Sequence, residues 1–200
     1  MNPEAHRLHL KLRDNTAVSA RPLSPDDREQ LAAGYPLLSE QSRYQRFWTR
    51  TGEVIGDKML DRLLAVDEQN HTIWAVIDAE RDYPGLGAAS FWRFPEEPTR
   101  AEFSCTVLDR DHGRGIGTLL LAILWLDAFS KGIEEFIGYT MPENKQAISW
   151  MMDTGAKGEW DGYKAIFRWD LTDMSRLPLT LAAGDLAEWI AELTPAFLDV

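Results

Sequence analysis

The sequence predicts an α/β fold: a mixed, mostly antiparallel sheet flanked by helices, with one parallel β-α-β unit and a helical tail at the C-terminus. Three observations predict it. Between His71 and Asp109, three short runs rich in β-branched and aromatic residues are separated by turn-rich segments, the pattern of an antiparallel meander. Directly after them, "HGRGIG" leads into an apolar run that reads as a helix and then into another strand. A strand, a crossover helix and a strand make the flanking pair parallel. Last, Leu186, Trp189, Ile190 and Leu193 recur at helical spacing in the tail.

Each element follows from local chemistry. "HLKLRDNTAVSARPL" reads as two short strands around the turn pair Asp14 and Asn15. "SPDDREQLAAGY" opens a helix near Pro25, with Ser24 as N-cap, Pro25 at the first helical position and Asp27 close to a capping box. "SEQSRYQRFW" and "GDKMLDRLLAV" read as two more helices, the second turning Met59, Leu60, Leu63 and Leu64 inward. The strands "HTIWAVIDA", "GAASFWRF" and "AEFSCTVLD" are separated by "ERDYPGL" and "PEEPT". The next helix runs from Ile116 to Lys131, with Gly132 as its C-cap. "EEFIGYTM" is a strand, a helix begins near Asn144, and "GYKAIFRWDL" is the final strand. The tail stripe must pack on the sheet or on a second subunit, because an exposed apolar stripe is a liability.

Composition narrows the function. The 200 residues carry a formal charge of −11, which excludes general nucleic-acid binding, since phosphate contacts need clustered Lys and Arg. It suits a cationic partner, although a negative surface is also the ordinary soluble state. The single cysteine, Cys105, excludes an intrachain disulfide framework and fits a reducing compartment. The four histidines, His6, His9, His71 and His112, show no metal-ligand spacing with it. The start has no apolar leader, and the longest apolar run, "LLLAILWL", is too short to span a bilayer. A cytoplasmic protein with no membrane partner is expected.

Gly113, Gly115 and Gly117 alternate immediately before the leucine run. Glycine permits positive φ and close approach to the main chain, and a helix starting there offers free N–H groups and its dipole to an anion. A phosphate-bearing ligand is one reading, and a turn of small residues is the other. A dinucleotide fingerprint fails, because Thr118 stands where the third glycine belongs and the loop follows a meander. A P-loop fails, because Gly117 and Thr118 are adjacent with no lysine between strand and helix.

Set between a strand and a long helix, "HGRGIG" resembles the acyl-CoA loop of the GNAT superfamily of N-acetyltransferases, [Arg/Gln]-x-x-Gly-x-[Gly/Ala]. Gly115 and Gly117 fill the glycine places, and His112 takes the Arg/Gln place. "PENKQAISWMMDTGAK" is similar to the family segment in which an asparagine, here Asn144, lies beside the pantetheine arm of the cofactor. The resemblance covers residues 101–157 closely and 17–100 by element order. Glu102, ten residues before His112, together with "SEQSRYQRF", looks like the catalytic domains of bacterial protein-lysine acetyltransferases, whose matching strand glutamate is taken as the general base.

The resemblance implies a domain at residues 1–171 with the tail at 172–200, and direct acetyl transfer from acetyl-CoA, without a metal, to a primary amine. A protein lysine leads as acceptor; a polyamine or aminoglycoside is the alternative, and a non-catalytic acyl-CoA-binding module is another. A homo-oligomer is compatible with it. Implied cofactor contacts are Val107, Asp109, His112, Gly113, Arg114, Gly115, Ile116, Gly117, Thr118 and Asn144. The residues themselves add to this. Strand alternation puts Glu102, Ser104 and Thr106 on one face, and Phe103, Cys105 and Val107 on the other, where Cys105 reads as a structural thiol. Arg110 and Arg114 read as phosphate neutralisers or as solvated loop charges, and Asn144 also suits a helix N-cap. Met151 and Met152 occupy the region where many relatives carry a tyrosine acid. Tyr139 and Tyr163 are left without an assigned role.

Overall fold

The computed structural model describes residues 6–80 and 85–198. Its eight strands form one mixed sheet in the order β1-β2-β3-β4-β5-β6-β8-β7. The chain contributes β1 (Leu8–Lys11), β2 (Ala17–Pro22), α1 (Arg28–Gly34), α2 (Glu40–Phe47), α3 (Asp57–Leu63), β3 (His71–Asp78), β4 (Gly85–Phe94) and β5 (Glu97–Val107). Then follow α4 (Ile116–Ser130), β6 (Glu135–Thr140), α5 (Lys145–Asp153), β7 (Lys157–Trp160), β8 (Ala165–Asp170) and α6 (Leu181–Phe197). Four residues of the expected turn "ERDYPGL", numbers 81–84, lie outside the described residues, as do residues 1–5 of the N-terminal segment.

Two compact units divide the chain, residues 1–90 with 105–120, and residues 91–104 with 121–200. In the first, β1 pairs antiparallel with β2 from Leu8↔Ala20 to Lys11↔Ala17, and β2 pairs antiparallel with β3. The turn between β1 and β2 is closed by Asn15 at φ 64°, a left-handed conformation that asparagine tolerates. The capping box at Ser24 is complete: its hydroxyl accepts from the Asp26 N–H, and the Asp27 carboxylate accepts from the Ser24 N–H at 2.8 Å. The helix expected from Pro25 starts as a 3-10 turn and becomes α-helical at Arg28. Leu60 and Leu64 of the third expected helix are buried, and Leu60 joins Tyr35 and Ile55 in a small core against which Leu31, Phe47, Met59 and Leu63 pack.

In the second unit, the β5–β6 ladder is parallel, from Arg100↔Glu135 to Phe103↔Gly138, as the crossover pattern requires. β8 pairs antiparallel with β6 and with β7. One face is an aromatic core in which Phe103 packs against Phe136 and Trp169 at centroid distances of 5.4 Å. α4, whose residues up to Leu120 belong to the first unit, has apolar side chains all round, and Leu119, Leu120, Leu121, Ile123 and Leu124 are fully buried. Its one charged pair, Asp127 and Lys131 at 2.6 Å, is nearly buried and internally neutralised. The tail helix packs against α5, with Leu186, Ile190 and Leu193 buried and Trp189 half-buried. Thr180 caps it by accepting from Ala183 N–H at 3.1 Å.

Two boundaries differ from expectation. β5 begins at Glu97, so "PEEPT" shrinks to a two-residue turn; Pro98 lacks an N–H but sits at the start of the strand, where that is tolerated. β7 is a strand that the sequence pattern did not suggest.

Candidate active site

After β5, a 3-10 turn at residues 109–111 delivers the chain to the glycine loop. Asp109 anchors that turn to α2: its carboxylate accepts from Ser39 N–H at 3.0 Å, Ser39 Oγ at 2.7 Å and Ser42 Oγ at 2.7 Å. Burial opposes its charge, yet these hydrogen bonds outweigh it and hold the carboxyl down at about 2. His112 Nε2 lies 3.0 Å from the Val107 carbonyl, closing the loop on the strand it leaves.

Gly113 and Gly115 stand at φ 76° and 83°, and a Cβ added at either would meet open space. Their requirement is therefore backbone conformation, not crowding within the protein. Gly117 is already in the first turn of α4, between the buried Ile116 and Thr118. The N–H groups of Gly113, Arg114, Gly115, Ile116 and Gly117 find no acceptor among the described residues; the first helical bond is Leu119 N–H to Gly115 O at 3.0 Å. Five successive N–H donors at the positive end of a helix dipole form a nest for an anion.

The loop's charged side chains do not supply that attraction. Arg114 donates to Asp14 at 2.9 Å, Asp111 at 2.6 Å and Thr16 Oγ1 at 2.8 Å, tying the loop to the β1–β2 turn. Hydrogen bonds from Thr16 and Arg114 in turn hold the Asp14 carboxyl at about 2. Arg110 is mostly exposed, with its Nε 3.3 Å from Asp111.

In the second unit, Glu102 is half-buried and sits opposite Ile137 in the parallel ladder. Tyr139, two residues on, shares its face. Burial and then the charge of Glu102 raise the Tyr139 hydroxyl above its ordinary value, with Arg168 opposing, so the phenol keeps its proton. Lys164 Nζ stands 4.2 Å from the centre of that ring. Alternation alone could have flagged Tyr139; its place on the same face as a carboxylate of the neighbouring strand needed the register. Asn144 caps α5, its Oδ1 accepting from Ala147 N–H at 3.1 Å, while its Nδ2 donors meet no acceptor among the described residues. Cys105 is half-buried, and burial pushes its thiol up to about 12, against a smaller pull from Arg46. That is not a nucleophile at neutral pH. Among the described residues no group of three His, Cys, Asp or Glu side chains is placed to hold a metal ion, and no helix is long and apolar enough to cross a membrane.

A β-strand feeding a glycine nest at the head of a buried helix, in a sheet of this order, defines an acyltransferase fold. The chain belongs to the GNAT acetyltransferase family, whose domain model, Acetyltransferase (GNAT) domain, matches residues 18–157. It is 30% identical over 133 residues to the acetyltransferase Pat of Mycolicibacterium smegmatis, covering 66% of this chain and 39% of that protein. The chain thus spans well under half the length of that curated relative. The GNAT domain of S. lividans PAT superposes with a TM-score of 0.77 at 23% identity, over 85% of this chain and 99% of that one. A cAMP-binding acyltransferase from Mycobacterium smegmatis gives 0.61 at 22% identity, over 98% of this chain and 58% of that one. Mycobacterium smegmatis RimJ in complex with CoA-disulfide gives 0.64 at 16% identity, over 94% and 97%.

Proposed function

We propose that the protein is a cytoplasmic, acetyl-CoA-dependent N-acetyltransferase that acetylates a primary amine directly, with a protein lysine as acceptor, through a domain at residues 1–171 that carries the tail 172–200. The observation that carries this reading is the row of five unsatisfied N–H groups at residues 113–117, framed by two left-handed glycines. Gly113 to Gly117 bind the pyrophosphate through the main chain, with Thr118 next to them in the first turn of α4. Asp109, Val107 and His112 hold the loop in shape, Arg114 braces it, and Asn144 offers its Nδ2 donors to the amide-rich arm of the cofactor.

Glu102 is the general base. An ammonium of pKa about 10.4 costs about 4.6 kcal/mol to deprotonate at pH 7, so a carboxylate that takes the proton, directly or through one water, lowers the barrier to attack. The amine nitrogen then bonds to the thioester carbonyl carbon, the C–S bond breaks, and the thiolate leaves without needing a covalent enzyme intermediate. The raised Tyr139 hydroxyl remains a proton donor beside Glu102 across this range. The resemblance of Glu102 and "SEQSRYQRF" to bacterial protein-lysine acetyltransferases supports a protein acceptor. Incubation with labelled acetyl-CoA and a cell lysate tests it. Label in protein, on lysines, is expected; label confined to small molecules would overturn the lysine assignment, and no thiol release with any amine would overturn the enzymatic reading.

A further inference from the structure

A cavity of about 140 Å³ lies within the first unit, between its strands and the helices α1–α3. It is open to the surface on one side, a half-open pocket and not a sealed void. Its origin is compositional: β3 presents Ile73, Ala75 and Ile77, while the neighbouring stretch "GLGAAS" of β4 offers almost no bulk. Leu31 and Phe47 close it from the helices. Of the charged groups on its wall, Arg21 and Asp27 neutralise each other, while the Arg21 Nε is a buried donor with no hydrogen bond among the described residues and Arg46 adds a second cation. Arg21 donates to both oxygens of Asp27, at 3.0 and 2.5 Å, and Asp27 also accepts from Ser24. A mostly apolar space of this size gives water few partners and gains by taking up hydrocarbon; an engineered apolar cavity of comparable volume binds benzene.

We propose that this cavity is a binding site for a short hydrocarbon group, an alkyl chain or ring of about six carbons. Two sources share that chemistry: the acyl chain of a donor longer than acetyl, and the apolar body of an amine acceptor. The first experiment uses the whole chain and 1-hexanol, followed by calorimetry and thermal melting. Saturable one-site binding is expected, with Tm raised by roughly 3–6 °C at ten times the Kd. Ala75→Leu and Ala89→Val each add bulk to the void from a buried wall position, and both are expected to melt cooperatively and to lose hexanol binding. No saturable binding by the unaltered protein, or binding unchanged in both filled variants, would overturn the proposal. Competition by hexanol against hexanoyl-CoA assigns the site to the donor chain, and competition against hexylamine assigns it to the acceptor. These two arms rest on the transferase reading, whereas the titration does not, so failure of the cavity and failure of the chemistry are told apart.

Discussion

The glycine loop and the face around Glu102 solve opposite problems. In the loop, every acidic side chain and Arg114 are consumed by internal hydrogen bonds, leaving the main-chain N–H groups as the unpaired donors. Around Glu102 the main chain is consumed by the ladder, and only side chains are left to act. Under the proposed function, binding in the first region depends on backbone dihedrals, and turnover in the second depends on one carboxylate. The difference teaches which substitutions separate affinity from rate.

The largest effect is expected at Glu102. In Glu102→Gln the shape survives but the basicity does not, so kcat at pH 7 falls by roughly a hundredfold or more. Part of the loss returns as pH approaches the amine's own pKa of about 10.4, because solvent then supplies the free amine. A pH-rate profile checks this, and a loss equal at every pH would make Glu102 a positioning residue. Gly115→Val comes next. A β-branched residue at φ 83° costs about 1–2 kcal/mol in stability and collapses the nest, so acetyl-CoA affinity falls at least tenfold. Fluorescence titration and denaturant unfolding measure the two losses separately.

Arg114→Ala breaks the comparison from the other side. It leaves the nearly buried Asp111 carboxylate short of a partner, which costs about 1–2 kcal/mol after discounting for solvent. Affinity is expected to change less than threefold, because its cation is spent within the protein. A tenfold loss of affinity at unchanged stability would show that Arg114 binds phosphate directly. The smallest effect concerns acid. With its folded-state carboxyl at about 2, below the ordinary 3.8, Asp109 contributes stability above about pH 4 that is lost as pH falls toward 2. Tm recorded from pH 5 to pH 2 should decline less steeply in Asp109→Asn than in the parent.

Much of this was legible in the sequence where local rules decide. Ser24 with Asp27, Asn144 as a cap, and Gly113 and Gly115 in left-handed conformations all follow from requirements confined to a few residues. β7 escaped because its four residues are exposed and carry charges and Gly158, so no apolar alternation marks them. Arg114 read as a loop cation, because its partner Asp14 lies a hundred residues away. The same holds for Tyr139, whose carboxylate neighbour comes from another strand. The tail stripe was plain, but its contact with α5, which is itself amphipathic, was not, because a stripe marks a buried face without naming what covers it.

The central claim is that the main chain binds and a side chain turns over. Calorimetric titration of acetyl-CoA into the parent, Glu102→Gln and Gly115→Val tests it in one series. The account predicts affinity within about twofold of the parent for Glu102→Gln and at least tenfold weaker for Gly115→Val. Equal affinity in Gly115→Val, or binding lost in a well-folded Glu102→Gln, would contradict it.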